Sequence, residues 1–150
     1  MITTCGIFVM DPDNKFLLGH PTNNPDYIWS IPKGIPIEGE SKVFAAFREF
    51  EEETGINLAN IEWDGGFFPV GNFIYPSGKK QLSAYFVKIK QLIGVQVMKC
   101  TSMVPKEIYG QEVPEIDRFM WATKSEVMSL AHPTQLDAIW KIYSEILTKW

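Results

Sequence analysis

Four glutamates fall within five residues of this chain, Glu49 and then Glu51 to Glu53, inside the stretch GIPIEGESKVFAAFREFEEETGI from Gly34 to Ile56. Carboxylates crowded in this way can form a solvated acidic face. Alternatively, their oxygens can hold a hard divalent cation such as Mg2+ or Mn2+, which sits between a few carboxylates and the phosphates of a substrate. On a helix advancing about 100° per residue, Glu49, Glu52 and Glu53 share one face. Val43, Phe47 and Phe50 point to another side, which can be buried. Arg48 and Glu51 are expected to lie away from the three carboxylates.

Like charges at this spacing cost about 0.2–0.5 kcal/mol per pair on an exposed helix. Anions near the C-terminal end add roughly 0.3–1 kcal/mol. Burial of Phe47 and Phe50 contributes about 1.5–3 kcal/mol each, so the helix tolerates its charge. Ser41 is a suitable N-cap and Gly55 a suitable stop, which places the helix from there to about Thr54.

The elements around this helix follow from pattern and turn chemistry. TTCGIFVM and KFLLGH read as strands joined by the turn DPDN, an opening hairpin. PTNNPD is a loop, and YIWSIPKG is an apolar run broken by Pro32 and Gly34. GGFFPVGNFIY and QLSAYFVKIK read as two strands around the turn PSGKK, and LIGVQVMKC as a further strand. Met103 to Pro114 reads as a long loop, DRFMWAT as a short strand and KSEVMSL as a short helix. From Pro133 onward, Leu136, Ile139, Trp140, Tyr143, Ile146 and Leu147 recur at helical spacing and predict a core-packing helix. Strands with few helices and no linker or repeat imply one domain over residues 1–150, α/β or α+β, with a sheet covered by helices.

Composition narrows the function classes. A net charge of −4 argues against broad nucleic-acid binding, which needs clustered Lys and Arg. No stretch approaches the roughly 20 apolar residues of a membrane span, and MITTCGIFVMD does not look like a signal peptide. A cytoplasmic location is the default expectation. Cys5 and Cys100 lie too far apart for a metal-ligand motif and are expected to be buried, reduced thiols.

Gly34, Glu40, Arg48, Glu49, Phe50, Glu52, Glu53, Gly55 and Ile56 fill every specified position of G-x5-E-x7-R-E-U-x-E-E-x-G-U, where U is a bulky apolar residue. The stretch resembles the signature of the Nudix hydrolases, and WSIPKG and VPEIDRFMW resemble Nudix sequences more loosely. The resemblance implies an α/β/α sandwich with a mixed sheet. It also implies a Mg2+-dependent, or Mn2+-dependent, pyrophosphohydrolase. Such enzymes cleave a nucleoside diphosphate linked to another group, by attack of water on phosphorus. It assigns Glu49, Glu52 and Glu53 to the cation, joined by the Gly34 carbonyl, with Arg48 and Glu40 orienting the carboxylates.

The resemblance leaves the general base open. Glu49 or Glu52 comes first, and Glu107, Glu112 and Glu115 are alternatives on a later loop. Lys33 is a candidate phosphate contact. Tyr27, Trp29, Phe67, Phe68 and Tyr85 could stack on a base, although core packing is the expectation for each; His20 and His132 read as structural. Among substrates, Pro-Lys-Gly in WSIPKG favours a dinucleoside polyphosphate, with nucleotide sugars, ADP-ribose-like compounds and nucleoside triphosphates open. No added RNA-binding region of the decapping type is visible, and a homodimer is left open because many family members form one. Two other readings stand beside the hydrolase. A non-catalytic nucleotide-sensing or protein-binding module would usually lack motif glutamates. An isoprenoid diphosphate isomerase would usually place a cysteine in a context that Cys5 and Cys100 lack.

Overall fold

The computed structural model describes residues 1–149. The strands are β1 (Ile2–Met10), β2 (Phe16–Pro21), β3 (Lys33–Gly34), β4 (Trp63–Ile74), β5 (Lys80–Ile89), β6 (Met103–Val104), β7 (Val113–Pro114) and β8 (Ile116–Ala122). The α-helices are α1 (Lys42–Thr54), α2 (Lys106–Tyr109), α3 (Lys124–Leu130) and α4 (Pro133–Lys141). The main sheet runs β4-β5-β1-β2-β8, with β3 attached to β1. It is mixed, because β1 and β5 are parallel while the other pairs are antiparallel.

Both faces of the sheet are buried. Phe8 and Met10 of β1 join Phe86 of β5 and Ile139 of α4 on one face. Cys5, Ile7 and Val9 point the other way, against Ala45, Ala46 and Phe50 of α1. A strand covered on both sides reads as a continuous apolar run, and that is how β1 reads in the sequence. On the α1 side, Phe47, Phe67 and Tyr85 stack in a file at 5.2 Å per step. The expected core packing therefore holds for Phe67, Phe68, Tyr85 and Trp29, whereas Tyr27 is exposed.

Several expectations need correction. The opening hairpin exists only at its turn, where Met10 pairs with Phe16; β2 then follows β8, and β3 takes the vacated edge of β1 at Cys5 and Gly6. LIGVQVMKC is not a strand. Val95–Val97 form a 3-10 turn, and Val95 and Val97 are exposed. The residues that follow serve α1 instead: Lys99 N–H donates to Thr54 O at 2.9 Å and Thr101 N–H to Glu52 O at 2.7 Å. These bonds satisfy carbonyls that a helix C-terminus leaves unpaired.

Met103 to Pro114 is a loop holding a small hairpin, β6 with β7, and the single helical turn α2. The last helix begins at Pro133, but regular α geometry ends at Lys141 and a π-turn, Ile142–Ile146, follows. Ala138, Ile139 and Ile142 supply its buried side, whereas Trp140 is 53% exposed. Cys5 and Cys100 are buried free thiols, as expected. Among the described residues, no helix is long and apolar enough to cross a membrane.

Candidate active site

Local sequence fixes α1. The Ser41 hydroxyl caps the first turn by accepting from Phe44 N–H at 3.2 Å, and Gly55 ends the helix at φ 79°, where a Cβ would be strained. Phe50 anchors the helix in the core at 1% exposure. That anchoring turns Glu49 and Glu53 inward, to 9% and 3% exposure. Glu49 and Glu53 are therefore not surface charges, whereas Glu51 is exposed and Glu52 half-buried.

Arg48 is not turned away from them. Its Nε and Nη2 grip both oxygens of Glu40, at 2.8 and 2.9 Å. Its Nη1 donates to Glu49 Oε1 at 2.9 Å and to Glu52 Oε2 at 3.2 Å. A helical wheel records the direction of a Cβ. The guanidinium reaches further, along the helix and back to the loop, where Nη2 also donates to Ile35 O at 3.2 Å. Glu40 is locked in turn by accepting from Ile37 N–H at 3.1 Å. The Arg48 guanidinium holds the Glu40 carboxyl below its usual range, and Glu40 in turn strengthens the hold of Arg48 on its proton.

The three motif carboxylates are unequal. Glu49 and Glu53 adjoin each other in the buried layer. Glu52 is half-buried on the solvent side and tied to Glu49 through Arg48. Among the described residues, no three His, Cys, Asp or Glu side chains form a ready-made ion cage. The Glu49–Glu53 pair nevertheless has the features of cation ligands. Glu53 Oε2 is buried with no hydrogen-bond partner. Burial, followed by the Glu49 carboxyl, pushes the Glu53 pKa up to about 10, and burial also raises that of Glu49. Two inward carboxylates must either take up a proton or meet a cation. Gly34 completes the cradle, since a Cβ there would overlap the Glu49 carboxylate.

A cavity of about 360 Å3 opens at Glu53, and Lys33, Glu115 and Ile116 are among its lining residues. Of the three loop glutamates, only Glu115 lines it; Glu107 and Glu112 are exposed outside it. Glu115 starts no strand of its own but immediately precedes β8, and its N–H donates to Ser102 O at 2.9 Å. Lys80, Tyr75 and His132 line the same cavity, and sequence reasoning did not single out Lys80 or Tyr75. Their signal was their position around the β4–β5 turn, which becomes meaningful only once β5 is set beside β1.

This cavity is rich in hydrogen-bond donors. Among the described residues, no ion pair joins Lys33 or Lys80 to a carboxylate. Burial and then Lys80 lower the Lys33 pKa, while Glu53, Glu115 and Glu49 pull it back. The Tyr75 hydroxyl is buried without a partner. His132 caps α4, its Nδ1 accepting from Thr134 N–H at 3.1 Å, so the ring proton resides on Nε2. Burial, then Lys33 and Lys80, lower its pKa. His132 is thus structural, as expected, and also a wall of the cavity.

A family model described as the NUDIX domain matches residues 2–143. The chain belongs to the Nudix family. It is 29% identical over 136 residues to the mRNA-decapping protein g5R of African swine fever virus, an alignment covering 84% of this chain and 51% of that protein. The chain thus spans about half the length of that relative. It is 24% identical over 140 residues to the RNA pyrophosphohydrolase of Rickettsia bellii, covering 85% of this chain and 78% of that one. In fold, this Nudix chain superimposes on an Ap4A hydrolase of C. elegans with a TM-score of 0.71 at 18% identity, covering 98% of this chain and 99% of the other. The α+β sandwich expected from the motif is therefore the fold observed.

Proposed function

We propose that this Nudix protein is a cation-dependent pyrophosphohydrolase acting on a nucleotide-type polyphosphate, with Glu49, Glu52 and Glu53 as cation ligands and Glu115 as general base. One observation carries the reading. Glu53, paired with Glu49 in the buried layer and with one oxygen unpartnered, lines the same cavity as Glu115, Lys33 and Lys80. The decapping, RNA pyrophosphohydrolase and Ap4A hydrolase relatives support the same class. Each name implies a chain of phosphates attached to a nucleoside.

Mg2+ or Mn2+, when bound, supplies charge neutralisation on the phosphates and activation of water. The remaining work falls to side chains. Arg48 keeps Glu49 and Glu52 in one orientation through its grip on Glu40. Lys33 and Lys80 offer ammonium groups, Tyr75 its hydroxyl and His132 its Nε2–H to phosphate oxygens in the cavity. Glu115 accepts the proton of the attacking water as the new P–O bond forms, and the bridging oxygen leaves with the departing phosphate. Glu115 suits this step better than the motif glutamates. Glu49 is hydrogen-bonded to Arg48 and Glu52 lies outside the cavity, whereas Glu115 has no ion-pair partner among the described residues.

The test is a substrate panel in Mg2+ and in Mn2+ comprising diadenosine tetraphosphate, 5′-triphosphorylated RNA, capped RNA, ADP-ribose and a nucleotide sugar. Products are read by mass, with oxygen-18 water to locate the attacked phosphorus. Cleavage of one class is expected, abolished by EDTA. Glu115→Gln is expected to lower kcat by about 10²–10⁴-fold, and Glu112→Gln to leave it unchanged. No cleavage with either ion, or full turnover by Glu115→Gln, refutes the assignment.

A further inference from the structure

His20 lies outside the Nudix motif, 2% exposed, near the end of β2. Both of its ring nitrogens face acceptors. Nδ1 is 2.7 Å from Asp117 Oδ1, and Nε2 is 3.1 Å from the carbonyl of Pro25. Each nitrogen thus lies within hydrogen-bonding distance of an oxygen on a different segment. The buried ring therefore joins two separate pieces of chain: the start of β8 and the loop between β2 and β3.

The register explains why Asp117 is available. His20 pairs with Arg118 and Pro21 with Ile116, so Asp117 is the additional residue of a β-bulge. Bulges redirect a side chain that regular alternation would send elsewhere. The bulge begins two residues after Glu115. The other end of the clamp is equally close to the cavity, because Pro21, Asn24, Ile28 and Trp29 of the loop line it. Thr22 N–H donates to Glu115 O at 3.0 Å, tying that loop to the same glutamate.

Charged and aromatic side chains pack around the clamp. Arg118 donates to Asp26 Oδ1 at 2.6 Å, and its Nε lies 4.0 Å from Asp117. Trp29 sits between His20, at 5.3 Å edge to face, and the Arg118 guanidinium, at 5.6 Å. The Trp29 indole N–H donates to Asp26 O at 2.8 Å.

We propose that His20 is a positioning residue for turnover: bonded to Asp117 and to the Pro25 carbonyl, it sets Glu115 against Glu53 and holds loop Pro21–Trp29 as the second wall of the cavity. This inference rests on the reading of Glu115 as the general base. His20 touches no substrate and acts through Glu115 and the loop.

Two measurements test it, on the full chain. The first needs no substrate. Amide hydrogen exchange of His20→Gln and Asp117→Asn is expected to quicken at least tenfold in residues 21–29 and 115–117 and to stay at wild-type rates in α1. The second is a kinetic cycle with the panel substrate that the wild-type protein cleaves fastest. His20→Gln is expected to lower kcat at least tenfold in the wild-type background and to add no further loss in the Glu115→Gln background. Residues acting as one unit are non-additive in this way.

Unchanged exchange in residues 21–29 overturns the proposal. So does an equal loss of kcat in both backgrounds, which would mark a role unconnected with Glu115. Wild-type turnover by Glu115→Gln alone would instead sink the base assignment, and the kinetic part of the proposal with it. Asp117→Asn keeps the shape of the site, so the exchange test stands even if His20→Gln folds poorly.

Discussion

Replacing Glu53 with glutamine should make the metal-free protein more stable. In the folded state, burial and the neighbouring Glu49 push the Glu53 pKa from 4.5 up to about 10. The sign follows directly. A carboxyl whose folded pKa is raised favours the folded state fully below about 4.5, and that contribution is lost as pH climbs toward about 10. At pH 7 the unfolded chain releases a proton that the folded chain keeps. The penalty is set by the roughly 2.5 pH units between 7 and the unfolded value, at about 1.4 kcal/mol each, or roughly 3–4 kcal/mol. It does not depend on how far above 7 the folded value lies.

Glutamine has the same shape and no proton to exchange. In EDTA at pH 7, Glu53→Gln should raise Tm by about 6–16 °C, at about 2–4 °C per kcal/mol for a chain of this size. It should also flatten the fall in Tm expected of wild type between about pH 5 and pH 9. Cations compete with protons for carboxylates. Millimolar Mg2+ should therefore raise the wild-type Tm more at pH 9 than at pH 6, and raise that of Glu53→Gln less. Differential scanning calorimetry at several pH values reads all of this. A Tm at or below wild type for Glu53→Gln in EDTA, or an unaltered pH slope, would refute the reasoning.

Other substitutions probe the remaining parts. Gly34→Ala drives a methyl into the Glu49 carboxylate; turnover should fall at least 100-fold, and chemical denaturation should show a loss of about 1–3 kcal/mol. Arg48→Lys cannot reproduce the two-pronged grip on Glu40. Steady-state kinetics should give a kcat at least tenfold lower, with Tm down by a few degrees. Lys80→Met removes one of the two cavity ammonium groups. KM should rise more for a tetraphosphate than for ADP-ribose, and an equal change for both would argue against a phosphate role.

The parts of the site carried on one element were legible in the sequence. Ser41, Gly55 and the 3.6-residue period were enough to place α1; they also put Glu49, Glu52 and Glu53 on one face, of which Glu49 and Glu53 turn inward while Glu52 lies toward solvent. The depth of that side was not legible, since it depends on Phe50 meeting β1. The contact of Arg48 was misplaced because a wheel omits the reach of a long side chain. Glu107, Glu112 and Glu115 looked equivalent because their separation into outside and inside depends on where β8 begins. Val95 and Val97 suggested a strand by composition alone. Their exposure shows that β propensity needs a sheet edge with which to pair.

One short piece of backbone has a mechanical consequence. Thr101 N–H is bonded to Glu52 O of α1, and the carbonyl of the next residue, Ser102, holds Glu115 N–H. The acidic helix and the acidic loop, some sixty residues apart in sequence, are thus spliced by two adjacent residues, like jaws riveted at a fixed gap. Widening that gap would require breaking main-chain bonds rather than swinging a hinge. Residues inserted at Thr101–Ser102 would therefore alter the spacing between the acidic helix and Glu115.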